Sequence, residues 1–215
     1  MEGKRTAWCF TGTYSKHTNF FIQITILFFI LVNLPLNDAA FSMTILHTSD
    51  IHARFQEADK YAGTCSVEES DNGECYGGFA RLASAIKDTR QAENNVVLLD
   101  AGDVFQGTLW FTVYKGRASS YFMNLLGYDA QAVGNHEFDI GPSALADYLR
   151  ELNASAVSAN MDVSQEPVLE DHYTPSVVLT VGGERIGVIG YVLPRTKKIS
   201  RGTGKYAILY LISRF

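Results

Sequence analysis

Asn135, His136, Glu137 and Asp139 stand together in VGNHEFDIG, residues 133–141, directly after a short apolar run. An amide, an imidazole and two carboxylates in one turn are a donor set for metal ions and for protons. Two other places carry groups of the same kind. TSDIH supplies Asp50 and His52, two residues apart, and AGD supplies Asp103. Singly, each has a plain reading. Asp50 can cap a turn, His52 can sit on a surface, Asp103 can be a loop carboxylate beside permissive glycines, and GNHEFD can be an N-cap cluster. In combination they suit two divalent cations. Asp50 and His52 can bind one ion from the two flanks of a turn. Asp103 has two oxygens and can bridge. Asn135 offers a neutral carbonyl oxygen, which limits the total negative charge. Mixed nitrogen and oxygen donors favour zinc or manganese over an all-oxygen calcium cage. Two such ions about 3.5–4 Å apart can activate water and clamp a phosphoryl group.

These clusters are far apart in sequence, so the fold must bring them together. MTILH (43–47) precedes the first cluster and is β-prone. VVLLD (96–100), ahead of Asp103, is a continuous apolar run of the kind found in a strand buried on both faces. AQAV (130–133) leads into the third cluster, and SAVSAN (155–160) reads as a further strand. Helical spacing lies between them. Phe79, Leu82, Ala83 and Ile86 share a face after GG. A second helix starts at Arg117 and stops at Gly127. A third starts with Pro142 in its first turn and ends near Asn153. Strand and helix alternate, which predicts an α/β layered domain with covered sheet faces. In such sheets ligands gather at the carboxyl ends of the strands, where all three clusters fall. Two β-rich runs flanking Gly182 and Gly183 predict a hairpin with a primed turn. The acidic, proline-containing segment 162–174 is expected at the surface.

Composition sets limits. Of 215 residues 47% are hydrophobic and 19% charged, a globular balance, and the formal net charge of -5 comes without a basic stripe. Binding to a nucleic-acid backbone is therefore excluded from the reading. Residues 1–40 look like a separate segment: Lys4, Arg5 and Lys16, then the apolar run 20–32, then the small residues Ala39 and Ala40. This pattern predicts a secretory signal peptide, and so a secreted, extracellular protein with residues 41–215 as its domain. The apolar run is short for a span of roughly 20 residues. Membrane attachment would need an uncleaved leader or an anchor not seen in this sequence. Cys9 falls in the leader. Cys65 and Cys75 flank a polar, acidic loop and are expected to form a disulfide. Zinc binding by this pair is the weaker reading, since no second pair or nearby His completes a site. Asn153–Ala–Ser155 is a candidate N-glycosylation sequon.

ILHTSDIHARF, LLDAGDVFQGT and VGNHEFDIG together resemble the signatures of the calcineurin-like metallophosphoesterases. More narrowly they resemble the secreted 5′-nucleotidase and apyrase family, as do GGFARL and VGGERIGVIGY, over residues 43–204. The resemblance implies a four-layer α/β/β/α domain holding two metals, followed by a C-terminal domain that binds the nucleoside. It also implies roles. Asp50 and His52 hold the first metal, Asp103 bridges, and Asn135 binds the second metal near the substrate phosphate. His136 and Asp139 form a dyad in which Asp139 orients the imidazole. Glu137 points elsewhere and has no chemistry. Zinc is the expected metal, with manganese, magnesium or calcium as alternatives. The reaction implied is hydrolysis of AMP, or of ATP and ADP, by water attacking phosphorus in line. The chain departs from the family in one respect. Two further histidine ligands belong in Gly-His segments beyond the hairpin, and none of His17, His47 and His172 is in the right place. The domain is thus expected to be incomplete at its C-terminal side, without the nucleoside-binding domain. That leaves a second expectation: a truncated, catalytically impaired fragment that at most binds metal or nucleotide.

Overall fold

The computed structural model describes residues 40–200, 204–205 and 207–208. The expected leader with Cys9, apart from residue 40, and most of the final KYAILYLISRF lie outside the described residues. The chain divides at Phe41, and everything below concerns the unit Ser42–Phe215.

Four strands form one parallel sheet: β1 (Thr44–Thr48), β2 (Val96–Asp100), β3 (Ala130–Ala132) and β4 (Ser155–Val157), side by side in that order. A two-residue strand, β5 (Met161–Asp162), follows outside this sheet. Parallel neighbours require crossovers, and helices provide them. The disulfide loop carries the short helix α1 (Val67–Asp71), and α2 (Phe79–Ala92) leads into β2. Between β2 and β3 run α3 (Leu109–Tyr114) and α4 (Gly116–Leu126); α5 (Pro142–Glu151) connects β3 to β4. The apolar VVLLD becomes the inner strand it predicts, with Val97 and Leu98 buried. The face Phe79–Leu82–Ala83–Ile86 of α2 turns inward. Gly127 closes α4 at φ 68°, its N–H returning to the carbonyls of Met123 and Asn124. Pro142 opens α5, which buries Leu145, Ala146, Tyr148 and Leu149.

The main core lies between this sheet and α4 and α5. Phe105, Phe138, Leu145 and Tyr148 are fully enclosed, and Phe105 meets Tyr148 edge to face at 5.1 Å. Each such side chain contributes about 1.5–3 kcal/mol by leaving water. Phe55 stacks on Phe122 at 4.5 Å and meets Phe79 and Trp110 edge-on. This ties the loop after β1 to α2, α3 and α4, so the turn that carries Asp50 and His52 rests on packed aromatics.

Four features add to the sequence reading, refine it or bear it out. LWFTVY has the β-branched and aromatic look of a strand but forms α3, and Lys115 at φ 54° breaks it from α4. Segment 162–174 lies largely at the surface, as expected, but two of its apolar residues turn inward. It holds a 3-10 turn, Pro167–Leu169, buries Val163 and Leu169, and ties the Tyr173 hydroxyl to the Met161 carbonyl at 2.9 Å. The acidic residues there mask apolar ones that face inward. Beyond it, β6 (Ser176–Val181) and β7 (Glu184–Ile189) form the expected hairpin, with Gly182 and Gly183 both at positive φ as a type I′ turn requires. Cys65 and Cys75 are joined by a disulfide across Cα atoms 5.9 Å apart.

Candidate metal centre

The turns after β1, β2 and β3 lie against one another at the carboxyl edge of the sheet. The N–H groups of Asp50, His52 and Ala53 donate to the carbonyls of Gly102, Asp103 and Val104 at 3.1, 3.0 and 3.0 Å. From the third turn, the His136 N–H donates to Asp103 Oδ1 at 2.8 Å. Backbone strain accompanies this packing: Asp50, His52, Ala53 and Asp103 all have φ between 50° and 58°. A left-handed non-glycine residue costs on the order of 1–3 kcal/mol and persists where its surroundings fix it. The closest approach needs glycine. A Cβ on Gly102 would stand 2.5 Å from the Gly134 nitrogen, and one on Gly134 would stand 2.3 Å from the Asp103 nitrogen.

The side chains converge as the backbones do. His52 Nδ1 lies 3.0 Å from the Phe105 carbonyl oxygen. A carbonyl only accepts, so Nδ1 carries the hydrogen and Nε2 keeps its lone pair, the arrangement a ligand histidine needs. Nε2 is 3.7 Å from Asp50 Oδ1. Ligand atoms of His52, Asp103 and His136 all lie within 4.8 Å of one another and could hold a metal ion. The rings of His52 and His136 are 5.0 Å apart and nearly perpendicular. Asn135, half-buried, heads the same turn as His136. The Asp50 side chain is 66% exposed, so the cluster opens to solvent on its side. Neutral imidazole nitrogen beside carboxylate oxygen is a donor set that fits a divalent ion of the zinc or manganese kind. Glu57, Cys65 and Cys75 also bring ligand atoms close together, but both sulfurs are consumed by the disulfide. Among the described residues, His47 and His172 belong to no such cluster.

Asp139, almost enclosed, holds His136 Nδ1 at 2.7 Å through Oδ2. Burial pulls the His136 pKa down, but the hydrogen bond and charge of Asp139, with Asp103 and Glu137 adding, outweigh it and leave it raised. His136 therefore has two placements at once: it is the dyad partner of Asp139, and its ring sits within the donor cluster.

The sequence reading missed two residues. Glu137, expected to point elsewhere, turns into the centre of the three turns and is 1% exposed. Its Oε1 accepts from the N–H of Val104 and Phe105 at 2.8 and 3.2 Å, and its Oε2 from Asp103 and Gly134 at 3.0 and 2.6 Å. Burial pushes its pKa up to about 7, the Asp103 carboxylate adds to this, and the backbone N–H groups oppose it. Asp100, read simply as the last residue of a strand, lies behind the site. Thr48 donates to its Oδ2 at 2.6 Å and the Gly102 N–H to its Oδ1 at 2.9 Å. Burial raises its pKa to about 6 against the hydrogen bonds from Thr48 and Gly102. No spacing rule would find either residue, because their partners are backbone groups or side chains supplied by other strands.

A parallel α/β sheet with nitrogen and oxygen donors converging at its carboxyl edge fits a metallophosphoesterase type of domain. The family profile for calcineurin-like phosphoesterases matches residues 43–205, and the chain belongs to that family. The chain is 46% identical over 162 residues to the 5′-nucleotidase of Bos taurus, covering 74% of this chain and 27% of that protein. It is 40% identical over 160 residues to the apyrase of Tabanus yao, covering 74% and 28%. Among solved structures it is similar to the 5′-nucleotidase precursor of Thermus thermophilus, with a TM-score of 0.72 and 43% identity over 80% of this chain and 32% of that one. The chain thus spans under a third of the length of these relatives.

Proposed function

We propose that this chain is the metal-binding part of a secreted phosphohydrolase that removes phosphate from extracellular nucleotides, AMP or ATP and ADP. The observation that carries the reading is the meeting of Asp50, His52, Asp103 and His136 at three adjacent strand ends. The 5′-nucleotidase and apyrase named above support the substrate class, and the leader supports export.

Asp50, His52, Asp103 and Asn135 would hold the divalent ions, with Asn135 also near the substrate phosphate. Zinc is the first choice, with manganese, magnesium or calcium as alternatives; when bound, the ions would supply Lewis-acid charge and favour attack of water on phosphorus. The protein's own groups do the rest. Phe105 fixes the His52 tautomer. Asp139 orients His136 through Nδ1, and its negative charge favours the imidazolium. A protonated Nε2 then donates to a phosphate oxygen or to the leaving group as charge develops there. The glycine approach at Gly102 and Gly134 brings the turns close enough to share one site. Asn153, exposed just after α5, is the residue through which the secreted protein carries an N-linked glycan.

A second reading, metal binding without turnover, draws support from the donor count. The described residues offer Asp50, His52, Asp103 and Asn135, fewer than the three protein ligands that each of two catalytic ions takes up even when one residue is shared. One assay separates the readings. Phosphate release from AMP, ADP and ATP is followed with and without chelator, alongside zinc content. The hydrolase reading expects chelator-sensitive release that falls by about 100-fold or more in Asp103→Asn. Zinc uptake with no release from any of the three nucleotides supports the second reading instead.

A further inference from the structure

Glu137 is almost completely enclosed, and its four hydrogen-bond partners are all backbone N–H groups. Three of them belong to successive peptide groups. The peptide Gly102–Asp103 gives its N–H to Glu137 and takes the Asp50 N–H on its carbonyl. Asp103–Val104 gives its N–H to Glu137 and takes the His52 N–H. Val104–Phe105 gives its N–H to Glu137 and takes the Ala53 N–H. The fourth N–H, from Gly134, belongs to the third turn itself. One carboxylate therefore anchors a ladder of three peptide planes, and the first turn hangs from the far side of that ladder. Polarisation along such a chain strengthens each bond in it.

We infer that Glu137 is a positioning residue that locks the three ligand-bearing turns, the first two with left-handed residues, into the arrangement in which their donors converge. The inference rests on the proposed reading only in taking those donors as metal ligands. Charge and lone pairs make Glu specific here. Two oxygens each accept from two N–H groups, so all four acceptor positions of a carboxylate are used. A glutamine has the same size but presents an NH2 to one pair of N–H groups, which breaks half the anchor without opening a cavity.

The test compares wild type with Glu137→Gln. Amide hydrogen exchange is measured after chelator treatment, and zinc affinity is measured separately by competition with an indicator. In the variant, the amides of Asp50, His52 and Ala53, none of which touches Glu137, exchange faster than in wild type. Those of Val97 and Met123 in the core stay protected, and zinc affinity falls by about 10–100-fold. Wild-type exchange at those three amides, or wild-type zinc affinity, overturns the inference. Should the variant not fold, wild-type exchange decides. A common opening of Asp50, His52 and Ala53 with Asp103, Val104, Phe105 and Gly134 supports the anchor, and separate openings overturn it. A wild-type protein that takes up no zinc sinks the metal reading, while the exchange comparison still decides whether Glu137 holds the turns.

Discussion

His136 stands between two roles, and a substitution tells them apart. Its Nδ1 is engaged by Asp139, and its ring lies within the cluster formed with His52 and Asp103. As an acid or charge partner, His136→Ala lowers turnover by about 100-fold while zinc content stays at the wild-type level. Loss of an equivalent of zinc from that variant would instead make His136 a ligand. At this scale the sequence was informative where residue type carries the chemistry. Asp50, His52, Asp103, Asn135, His136 and Asp139 all stand out as donors in turns after apolar runs. Glu137 was as visible as its neighbours, but three of its four N–H partners lie more than 30 residues away, and nothing in its own turn points to those three.

The elements decide how closely these residues meet. Gly134 has no room for a side chain, since a Cβ would press on the Asp103 nitrogen and on Glu137 Oε2 at 2.6 Å. Gly134→Ala is expected to destabilise the domain by about 1–3 kcal/mol, read as a lower denaturation midpoint at unchanged slope. A variant as stable as wild type would mean the turns have slack. Behind them, Asp100 links the ends of β1 and β2 through Thr48, and Tyr128 joins by its hydroxyl at 2.8 Å. The folded pKa of Asp100, about 6, is above its ordinary value of 3.8. The folded state therefore holds a proton that the unfolded chain has released, and stability from this group falls as pH rises from about 4 to about 6. Asp100→Asn removes that part of the slope. A variant with an unchanged pH profile of denaturation would show that Asp100 is not the group titrating. The alternation of β1, α2, β2, α4, β3, α5 and β4 was readable because apolar runs and helix stops such as Gly127 are local signals. α3 was not, because packing of Phe111 on Phe105 overrides the strand-like composition of LWFTVY.

For the molecule as a whole, the described residues form one α/β unit with a candidate centre at its sheet edge, within a family whose relatives compared above are matched over less than a third of their length. Fold class was legible from the order of elements, and the convergence of the three turns followed from their place at parallel strand ends. The burial of Leu169 within the largely exposed segment 162–174 was hidden, because it packs against α5, outside its own sequence neighbourhood. The central claim is that these turns form a binding site for divalent ions, and anomalous diffraction tests it most directly. Crystals of the protein grown with zinc, with data collected on both sides of the zinc edge, should show a peak within coordination distance of His52 Nε2 and the Asp103 carboxylate. A map with no anomalous peak among Asp50, His52, Asp103, Asn135 and His136 at saturating zinc would contradict it.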